Sequence, residues 1–481
     1  MQTILNYSNG VLKEPNVGKE LDVYNPANGR VYAKVPDSNA SDIEDAIIAA
    51  KNAYPKWSST SIEERHDYLM KISKAIENDL DNLAMAESID NGKPLWLAKA
   101  VDIPRAASNM RFFATAIMQF SSESHEMNGQ AINYTLRKSL GPVACISPWN
   151  LPLYLFTWKI APALAAGNTV VAKPSEVTPM TAYLLSKICI DIGLPAGVLN
   201  IIHGQGENTG AVLSGHKDIK AISFTGSTKV GATIASKAAP LFKKYSLEMG
   251  GKNPNIIFAD CDYNKMLETT MRSSFANQGQ ICLCGSKIFV EKSIYQKFKK
   301  DFVTKAKALK VGHPLEKDTK VGAIVSKAHF NKINYHINLA KEEGGTILCG
   351  GETVKLEGYK EGWYIQPTVI EGLSIACSTN QEEIFGPVVT LIPFESEEEV
   401  LKMANDTNYG LAATIWTQDI SRAHRIAANI EAGIVWVNTW LLRDLRTPFG
   451  GMKNSGVGRE GGFEALKFFT ETKNVCIAYS K

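Results

Sequence analysis

The chain has 481 residues, 44% of them hydrophobic and 21% charged, a composition that indicates a large globular core and excludes a disordered or fibrous protein. Its 52 Lys and Arg residues nearly balance 49 Asp and Glu residues, which argues against a nucleic-acid partner because a phosphate-backbone binder carries a dense basic stripe. The eight cysteines include no Cys-x-x-Cys pair, so we expect a reducing compartment, no disulfide framework and no structural metal.

No apolar run reaches the roughly 18 to 20 residues of a membrane helix. The first ten residues have neither the basic start nor the apolar stretch of a signal peptide. We therefore expect no membrane partner and a soluble, cytoplasmic protein. The length indicates about two to four domains.

Between residues 40 and 120 apolar side chains recur three and four residues apart, which predicts amphipathic helices that cover a core. The spacing appears at Ile43, Ala46, Ile47, Ala50 and Ala53, and again at Leu69, Ile72, Ala75 and Ile76. Residues 131–137 and 474–479 alternate apolar and polar side chains instead. Both segments are predicted as half-buried strands outside the main body.

From residue 142 onwards, short apolar runs alternate with helical stretches, which is the period of βαβ units in a parallel sheet. The predicted strands are Val143–Ser147, Thr169–Ala172, Val198–Ile202, Ala221–Phe224 and Tyr245–Glu248. After Gly250-Gly251 the alternation continues and predicts a second α/β domain. Its strands are expected at Asn255–Phe258, Lys287–Val290, Pro387–Phe394, Ala412–Trp416 and Ile434–Asn438.

Two glycine sets follow strands of the first series and open helices. They are Gly204-x-Gly206 with Gly210, and Gly226-Ser227 after Phe224. Each alone is compatible with a tight βα turn, but two sets within one βαβ series favour a nucleotide site.

Lys173 and Glu176 follow the second strand of the series, where an acidic residue can bind the two ribose hydroxyls of an adenosine. A helix N-cap formed by Ser175, with Glu176 in the first turn, is the alternative. If Glu176 binds the ribose, it repels a 2′-phosphate, and the cofactor is NAD and not NADP.

Three polar residues are candidates for catalysis. Cys282 closes a polar turn, where a thiolate can meet a substrate, although a lone cysteine is most often a small buried hydrophobe. Glu248 ends a strand before two glycines and is a candidate general base, with a surface glutamate as the alternative. Asn150 follows another strand and could donate to an oxyanion, although turn chemistry also explains it.

Six segments, in this order, closely resemble the NAD-dependent aldehyde dehydrogenase superfamily, and the resemblance covers nearly all of the chain. They are Pro148-Trp149-Asn150, Phe224-Thr-Gly-Ser-Thr228, Leu247-Glu248-Met-Gly-Gly-Lys252, Gly279-Gln-Ile-Cys282, Glu383-Ile-Phe385-Gly-Pro387 and Pro448-Phe-Gly-Gly-Met-Lys-x-Ser-Gly456. The resemblance implies an α/β fold with a Rossmann-type NAD-binding domain at 1–120 and 140–250 and a catalytic domain at 251–465. It also implies oligomerisation strands at 121–139 and 466–481, in a homodimer or homotetramer.

The same resemblance implies a thiolate mechanism. Cys282 attacks the aldehyde, the Asn150 amide and the Cys282 backbone N–H hold the oxyanion, and hydride passes to NAD⁺. Water activated by Glu248 then hydrolyses the thioester. Cys284 is expected to be a bystander. The implied cofactor residues are Ser147, Trp149, Lys173, Glu176, Gly206, Gly210, Phe224, Gly226, Ser227, Glu383 and Phe385.

Positions that line the substrate tunnel in this family carry Arg105, Arg443 and Arg446 here. Because guanidinium binds carboxylate in a bidentate manner, these arginines suggest an anionic aldehyde. The surrounding segments resemble the subgroup that oxidises 2-aminomuconic and 2-hydroxymuconic semialdehydes. The alternative is a surface salt bridge from Arg443 to Asp444 or Asp102.

Other functions stay open from the sequence. One is an aldehyde dehydrogenase for neutral substrates such as betaine aldehyde or retinal. Another is a hydrolase or thioesterase that uses Cys282 and Glu248 without a cofactor. A third, from a different class, is an inactive structural or ligand-binding homologue, against which the intact Cys282, Glu248 and Asn150 argue.

Overall fold

The computed structural model describes residues 1–480, and its first large sheet contains all five strands predicted from the apolar runs before residue 250. These five strands run parallel, and most of their residues are buried because helices cover both faces. In spatial order the eight strands are Gly456–Val457, Lys244–Glu248, Ala221–Thr225, Pro142–Ile146, Thr169–Lys173, Leu199–Ile201, Asn6–Ser8 and Val11–Lys13.

The strand order changes direction between Pro142–Ile146 and Ala221–Thr225. In open parallel sheets a ligand binds beyond the carboxyl ends of the strands at such a switch point. Here the two strands lead into residues 147–151 and 226–227, the segments singled out for cofactor and oxyanion binding. The sheet therefore has the Rossmann-type arrangement that the sequence predicts.

The second large sheet contains the five strands predicted after residue 250, each within two residues of its expected bounds, and two further strands. Thr346–Cys349 is antiparallel to its neighbour, and the remaining pairs are parallel. In spatial order the strands are Thr346–Cys349, Thr368–Glu371, Val388–Phe394, Lys287–Glu291, Pro254–Ile257, Ala412–Trp416 and Ile434–Val437.

Several short strands have no signal in the sequence pattern. They form the small sheets Gln2–Thr3 with Glu20–Asn25 and Arg30–Pro36, Thr353–Leu356 with Tyr359–Ile365, and Tyr409–Gly410 with Met452–Lys453. Gly456–Val457 lies within residues 251–465, which were expected to form the second domain. It pairs instead with Lys244–Glu248 and so belongs to the first sheet. This pairing covers an edge strand whose backbone groups would otherwise lack partners.

Helices flank both large sheets, and the predicted amphipathic spacing near residues 43–53 and 69–76 lies on two of them. Ile43, Ala46, Ile47 and Ala50 are fully buried, as the spacing predicts. The α-helices are Ala40–Ser58, Ile62–Asn78, Leu80–Asn91, Leu95–Leu97, Ile103–Ile117, Pro152–Ala165, Met180–Asp191, Ala211–Gly215, Thr228–Ala238, Tyr263–Phe275, Lys292–Lys307, Lys327–Glu342, Ser378–Gln381, Glu397–Asn405, Ile420–Asn429 and Gly462–Phe468. Short π-helical or 3₁₀ turns occur at Ala98–Asp102, Gly206–Gly210, Ala239–Leu241 and Ala276–Gly279. Among residues 1–480, no helix combines the length and apolar character needed to cross a membrane.

A separate three-stranded sheet contains the two segments predicted to lie outside the main body. Its strands are Thr470–Ala478, Ala131–Ser139 and Ser124–Glu126 in that order. The first two are antiparallel over nine residue pairs, from Thr470 opposite Ser139 to Ala478 opposite Ala131. Most side chains of Thr470–Ala478 are exposed.

Candidate active site

A cavity of about 230 Å³ opens at the carboxyl ends of the first sheet, between that sheet and loops of the second. It brings together Asn150, Glu248 and Cys282, although Asn150 lies 98 residues before Glu248, and Glu248 lies 34 residues before Cys282. The lining residues are Pro148, Trp149, Asn150, Thr225, Gly226, Ser227, Glu248, Met249, Gly250, Cys282, His329, Lys332, Glu383 and Phe385. The three residues predicted for catalysis therefore share one site.

Cys282 follows an unusual turn that ends helix Tyr263–Phe275. Asn277, Gln278 and Gly279 all have positive φ angles, of 50°, 57° and 71°. Such a conformation persists only where its surroundings fix it. Gln278 provides part of that support, because its side chain accepts from the Gly322 N–H and donates to the Ala323 carbonyl.

The close approach of a second loop explains the glycine at position 279. A Cβ atom on Gly279 would lie 2.1 Å from the carbonyl oxygen of Gly386, a distance that no side chain tolerates. The turn before the nucleophile is therefore locked against the loop that carries Glu383 and Phe385.

The surroundings of the Cys282 thiol oppose its ionisation. Burial raises the pKa of this thiol well above its usual range, and the Glu248 carboxylate adds to the rise. Because the thiolate is the nucleophile, the thiol must lose its proton before sulfur attacks the aldehyde.

Glu248 is the last residue of strand Lys244–Glu248 and is 2% exposed. Burial raises the pKa of this carboxyl to about 7, and the charge of Glu460 contributes to the rise. Its Oε1 atom is buried and has no hydrogen-bond partner among the described residues. A carboxyl with a pKa near 7 and a free oxygen suits a general base.

Asn150 is 3% exposed and faces the same cavity. Its side-chain amide donates one hydrogen bond to the carbonyl of Gln280, over 3.0 Å, so it is tied to the turn that carries Cys282. An amide nitrogen has two hydrogens, and the second remains for a ligand. The arrangement fits an oxyanion donor.

Lys173 and Glu176 pair with each other at the end of strand Thr169–Lys173, over 2.9 Å. Burial raises the pKa of the Glu176 carboxyl, but the Lys173 ammonium and backbone N–H donors, including that of Gly206, outweigh burial and lower it. The N-cap alternative does not hold, because Ser175 accepts from the Val177 N–H and the next helix begins only at Met180. Glu176 is thus an ionised carboxylate beside a glycine turn.

The remaining predicted cofactor residues differ in how they could contact a ligand. Cβ atoms added to Gly206 and Gly210 would meet nothing within 4 Å, which leaves open space at this turn. Ser227 caps helix Thr228–Ala238 by accepting from the Val230 N–H. The N-terminus of this helix, with its free backbone N–H groups, therefore lies beside the cavity. The Phe224 ring is buried in the core and packs against Gly226, which leaves its backbone for a ligand contact.

Two residues of this cavity, His329 and Lys332, belong to no motif of the sequence and lie three apart on helix Lys327–Glu342. His329 Nε2–H donates to the Phe385 carbonyl over 2.7 Å, and Lys332 Nζ donates to the Glu383 carbonyl over 2.9 Å. Burial lowers the pKa of His329 to about 4, so its ring is neutral at pH 7. Both side chains therefore donate to the backbone of the loop that carries the Glu383-Ile-Phe385 motif.

Ser147 and Trp149 lie on the loop after strand Pro142–Ile146. Ser147 is buried, and its backbone N–H donates to the Lys173 carbonyl, so it connects the two ends of the predicted cofactor site. The Trp149 ring lies 5.2 Å from that of Phe385 and nearly perpendicular to it. Trp149 and Phe385 form an aromatic wall of the cavity.

A larger groove, of about 1320 Å³, contains two of the three predicted substrate arginines, Arg443 and Arg446. The Arg443 guanidinium lies over Phe449, 3.9 Å from the ring centre, and over Trp158. Phe449 belongs to the apolar cluster that packs around Cys282. Arg443 therefore packs on a residue of the same apolar cluster that Cys282 contacts.

Arg443 does not form the salt bridge that the sequence left as an alternative. Asp444 forms a salt bridge with Arg446 instead, and the Arg446 side chain is 80% exposed. Arg446 thus lines the groove while its guanidinium pairs with Asp444. Arg443 Nη1 donates to the Tyr154 hydroxyl over 2.9 Å, and its Nη2 is buried without a partner among residues 1–480.

Tyr154, which likewise belongs to no motif of the sequence, connects two of the arginines. Its hydroxyl accepts from Arg443, and the Arg105 guanidinium lies 5.8 Å from its ring centre. Arg105 is partly exposed near the start of helix Ile103–Ile117. Two guanidinium groups thus approach one aromatic side chain beside the groove.

Comparisons with known proteins agree with this geometry. The chain is 48% identical to the 2-aminomuconic semialdehyde dehydrogenase of Danio rerio over 96% of both chains, and 44% identical to the 2-hydroxymuconic semialdehyde dehydrogenase of Pseudomonas sp. strain CF600 over 99% of this chain and 100% of that one. The NAD⁺ complex of an aldehyde dehydrogenase from Bacillus cereus superposes with a TM-score of 0.97 at 37% identity, covering 100% of this chain and 97% of that one. A model of the aldehyde dehydrogenase family matches residues 13–475. The six motifs, the fold and the site thus lead to one assignment: the chain belongs to the aldehyde dehydrogenase family.

Proposed function

We propose that this protein oxidises a semialdehyde that carries a carboxylate, such as 2-aminomuconic or 2-hydroxymuconic semialdehyde, to the corresponding acid with NAD as the acceptor. The observation that carries the proposal is the meeting of Asn150, Glu248 and Cys282 in one cavity. The family membership makes the protein an oxidoreductase that acts on aldehydes, and the named relatives support the choice of semialdehyde.

Each of the three residues has one chemical task. The Cys282 thiolate adds to the aldehyde carbon, and the oxyanion that forms accepts from the Asn150 amide and the Cys282 backbone N–H. NAD supplies the hydride acceptor when it is bound. Glu248 then removes a proton from water as that water attacks the thioester on Cys282.

The residues at the first sheet fit NAD. Glu176 presents an ionised carboxylate for two ribose hydroxyls, and Gly206 and Gly210 leave open space beside it. Ser227 precedes a helix N-terminus suited to a diphosphate. Glu383 and Phe385 suit the second ribose and the nicotinamide ring.

Glu176 should decide between NAD and NADP. We expect Glu176→Ser to remove the repulsion of a 2′-phosphate and to free Lys173 to pair with it, which lowers the preference for NAD by about 10-fold or more. The measurement is the ratio of kcat/KM for the two cofactors at a fixed aldehyde concentration. An unchanged ratio would contradict the adenosine-ribose role of Glu176.

Substrate charge is the second part of the proposal. The Arg443 guanidinium is oriented by Tyr154 and by two aromatic rings, and its Nη2 retains a buried donor without a partner among the described residues. A buried free donor is costly unless a ligand satisfies it. A carboxylate on the substrate provides an acceptor of matching charge, and Arg105 is close enough to the same tyrosine to assist.

The proposal is tested by absorbance of NADH with 2-hydroxymuconic semialdehyde and with hexanal. We expect Arg443→Ala to lower kcat/KM for the charged substrate about 10- to 100-fold, because a charge-assisted hydrogen bond contributes about 1.5 to 3 kcal/mol. Arg105→Ala is expected to act in the same direction. Turnover of hexanal should hardly change in either variant.

Arg446→Ala is the matched control, since it removes an arginine from the same groove that is exposed and already paired with Asp444. It should leave both substrates unaffected. Equal losses on the charged and the neutral substrate in Arg443→Ala would show that this arginine supports the fold and does not bind the substrate.

We also propose a homo-oligomer, a dimer or a tetramer. Strand Thr470–Ala478 lies at the edge of its sheet and pairs with only one neighbour among residues 1–480. A nine-residue edge strand with exposed Ile477 is a surface that proteins normally cover. Light scattering at micromolar concentration should give a multiple of 52.6 kDa, and a monomeric mass would contradict this proposal.

A further inference from the structure

A fully buried ion cluster lies behind the loop that carries Asn150. The Lys93 ammonium contacts the Glu87 carboxylate at 3.1 Å and the Asp102 carboxylate at 2.5 Å, and all three side chains are at most 1% exposed. Glu87, Lys93 and Asp102 form this cluster. None of these residues lines the catalytic cavity.

The third contact of Lys93 leads directly to the active site. Its Nζ donates to the backbone carbonyl of Asn150 over 3.2 Å. The same carbonyl accepts from the side chain of Asn277, over 3.0 Å, on the turn that carries the nucleophile. The Asn91 side chain donates to it as well, over 3.4 Å, so three side chains hold the carbonyl of the oxyanion donor.

The cluster also fixes the elements on either side of this loop. The second oxygen of Glu87 accepts from the backbone N–H of Leu153, in the first turn of helix Pro152–Ala165. Asp102 ends the π-helical turn that leads into helix Ile103–Ile117. One ammonium group therefore connects the Asn150 loop to two helices.

A buried cluster of this kind is expensive to maintain. A buried ammonium without partners would lose its proton, and two carboxylates that share one ammonium repel each other. Burial raises the pKa of Glu87 to about 7, while the charges of Asp102 and Glu87 hold that of Lys93 above its usual value. An apolar packing of similar volume would stabilise the fold as well. The hydrogen bond from Lys93 to the Asn150 carbonyl offers a functional explanation for a charged cluster at this place.

We infer that Lys93 is a positioning residue for the reaction, which sets the Asn150 amide at the oxyanion by holding the backbone carbonyl of the same residue. The inference rests on the proposed function, because it concerns how fast the thiohemiacetal on Cys282 forms. Lys93 itself contacts no reacting atom. Its effect on rate must therefore pass through Asn150, and this requirement can be tested.

The test is a double-mutant cycle with Lys93→Met and Asn150→Ala. The measured quantity is the rate of NADH formation in a single turnover, with enzyme in excess over aldehyde, so that later steps do not limit it. Asn150→Ala removes an oxyanion donor and should slow this rate about 100- to 1000-fold. Lys93→Met should slow it about 10- to 100-fold, since a displacement of about 1 Å at a reacting centre costs this much.

The second arm of the cycle decides the inference. With Asn150 already absent, Lys93→Met should slow the rate by about threefold or less, because the residue through which it acts is gone. If the two losses multiply instead, Lys93 supports the fold in general and the inference is wrong. A wild-type protein that forms no NADH would instead refute the proposed function, so the two failures are distinguishable.

Two further variants guard the cycle against a trivial loss of folding. Lys93→Met with Asp102→Asn removes one charge of each sign, and this pair enters the same cycle if Lys93→Met alone does not fold. Lys299→Met removes a lysine that is 25% exposed and paired with Glu371 in the second sheet. It should leave the single-turnover rate unchanged, and a loss of rate in this variant equal to that of Lys93→Met would also overturn the inference.

Discussion

Replacing Cys282 by alanine should abolish NADH formation while the protein still binds NAD. Among the described residues, Cys282 is the only cysteine that lines the catalytic cavity, and the oxyanion forms only once sulfur has added to the aldehyde carbon. We expect kcat to fall by about 10⁴-fold or more. Calorimetric titration with NAD⁺ should give a dissociation constant within about threefold of the wild-type value, because the groups that suit the adenosine lie on the first sheet.

Cys284→Ala is the matched control for this prediction. Cys284 lies two residues away, is 7% exposed and packs in the apolar cluster with Leu283 and Trp440. Its replacement leaves a small void, which should lower the free energy of unfolding by about 1 kcal/mol and leave turnover intact. Wild-type turnover in Cys282→Ala, or loss of turnover in Cys284→Ala alone, would overturn the assignment of the nucleophile.

Replacing Glu248 by glutamine should have a different kinetic signature. The first NADH forms, the acyl group then stays on Cys282, and the steady-state rate falls by about 10²- to 10⁴-fold, which is the contribution of a general base. Rapid mixing should show a burst of NADH close to one equivalent per active site, followed by slow turnover. An unaltered steady-state rate would exclude Glu248 as the essential base.

The pH dependence of hydrolysis follows from the same carboxyl. Burial raises the pKa of Glu248 to about 7, and a general base works only in its deprotonated form. The rate of thioester hydrolysis in the wild type should therefore fall as the pH drops below about 7 and level off above it. In Glu248→Gln this dependence should vanish, and a profile that persisted unchanged in the variant would assign the titration to another group.

The sequence alone determined five strands of each large sheet and the residues at their ends. Parallel strands buried on both faces appear as short apolar runs, so their positions are visible without the fold. Since the carboxyl ends of such strands meet at one edge, Asn150, Glu248 and the Gly226-Ser227 turn could be placed near one another. The motif around Cys282 then added the nucleophile, and the cavity contains all of them.

Short strands and antiparallel edge pairs were beyond such reasoning. Gly456–Val457 is two residues long and has no alternation to detect, yet it pairs with the edge strand that ends at Glu248. The strands before residue 40 and those between 346 and 371 are mostly of mixed burial. Their formation depends on partners far away in the chain, which no local pattern indicates.

Tertiary packing alone decided the finer chemistry of the site. His329 and Lys332 lie on a helix whose pattern shows only amphipathicity, and Arg443 and Arg446 stand three residues apart in one irregular loop. Arg443 is held by Tyr154 and Phe449, and Arg446 is exposed beside Asp444, because the loop crosses helix Pro152–Ala165 at one arginine and not at the other. A sequence shows which groups a site can use. Which of them are buried, paired or left with a free donor depends on contacts between residues hundreds of positions apart, and these contacts exist only after the core has packed.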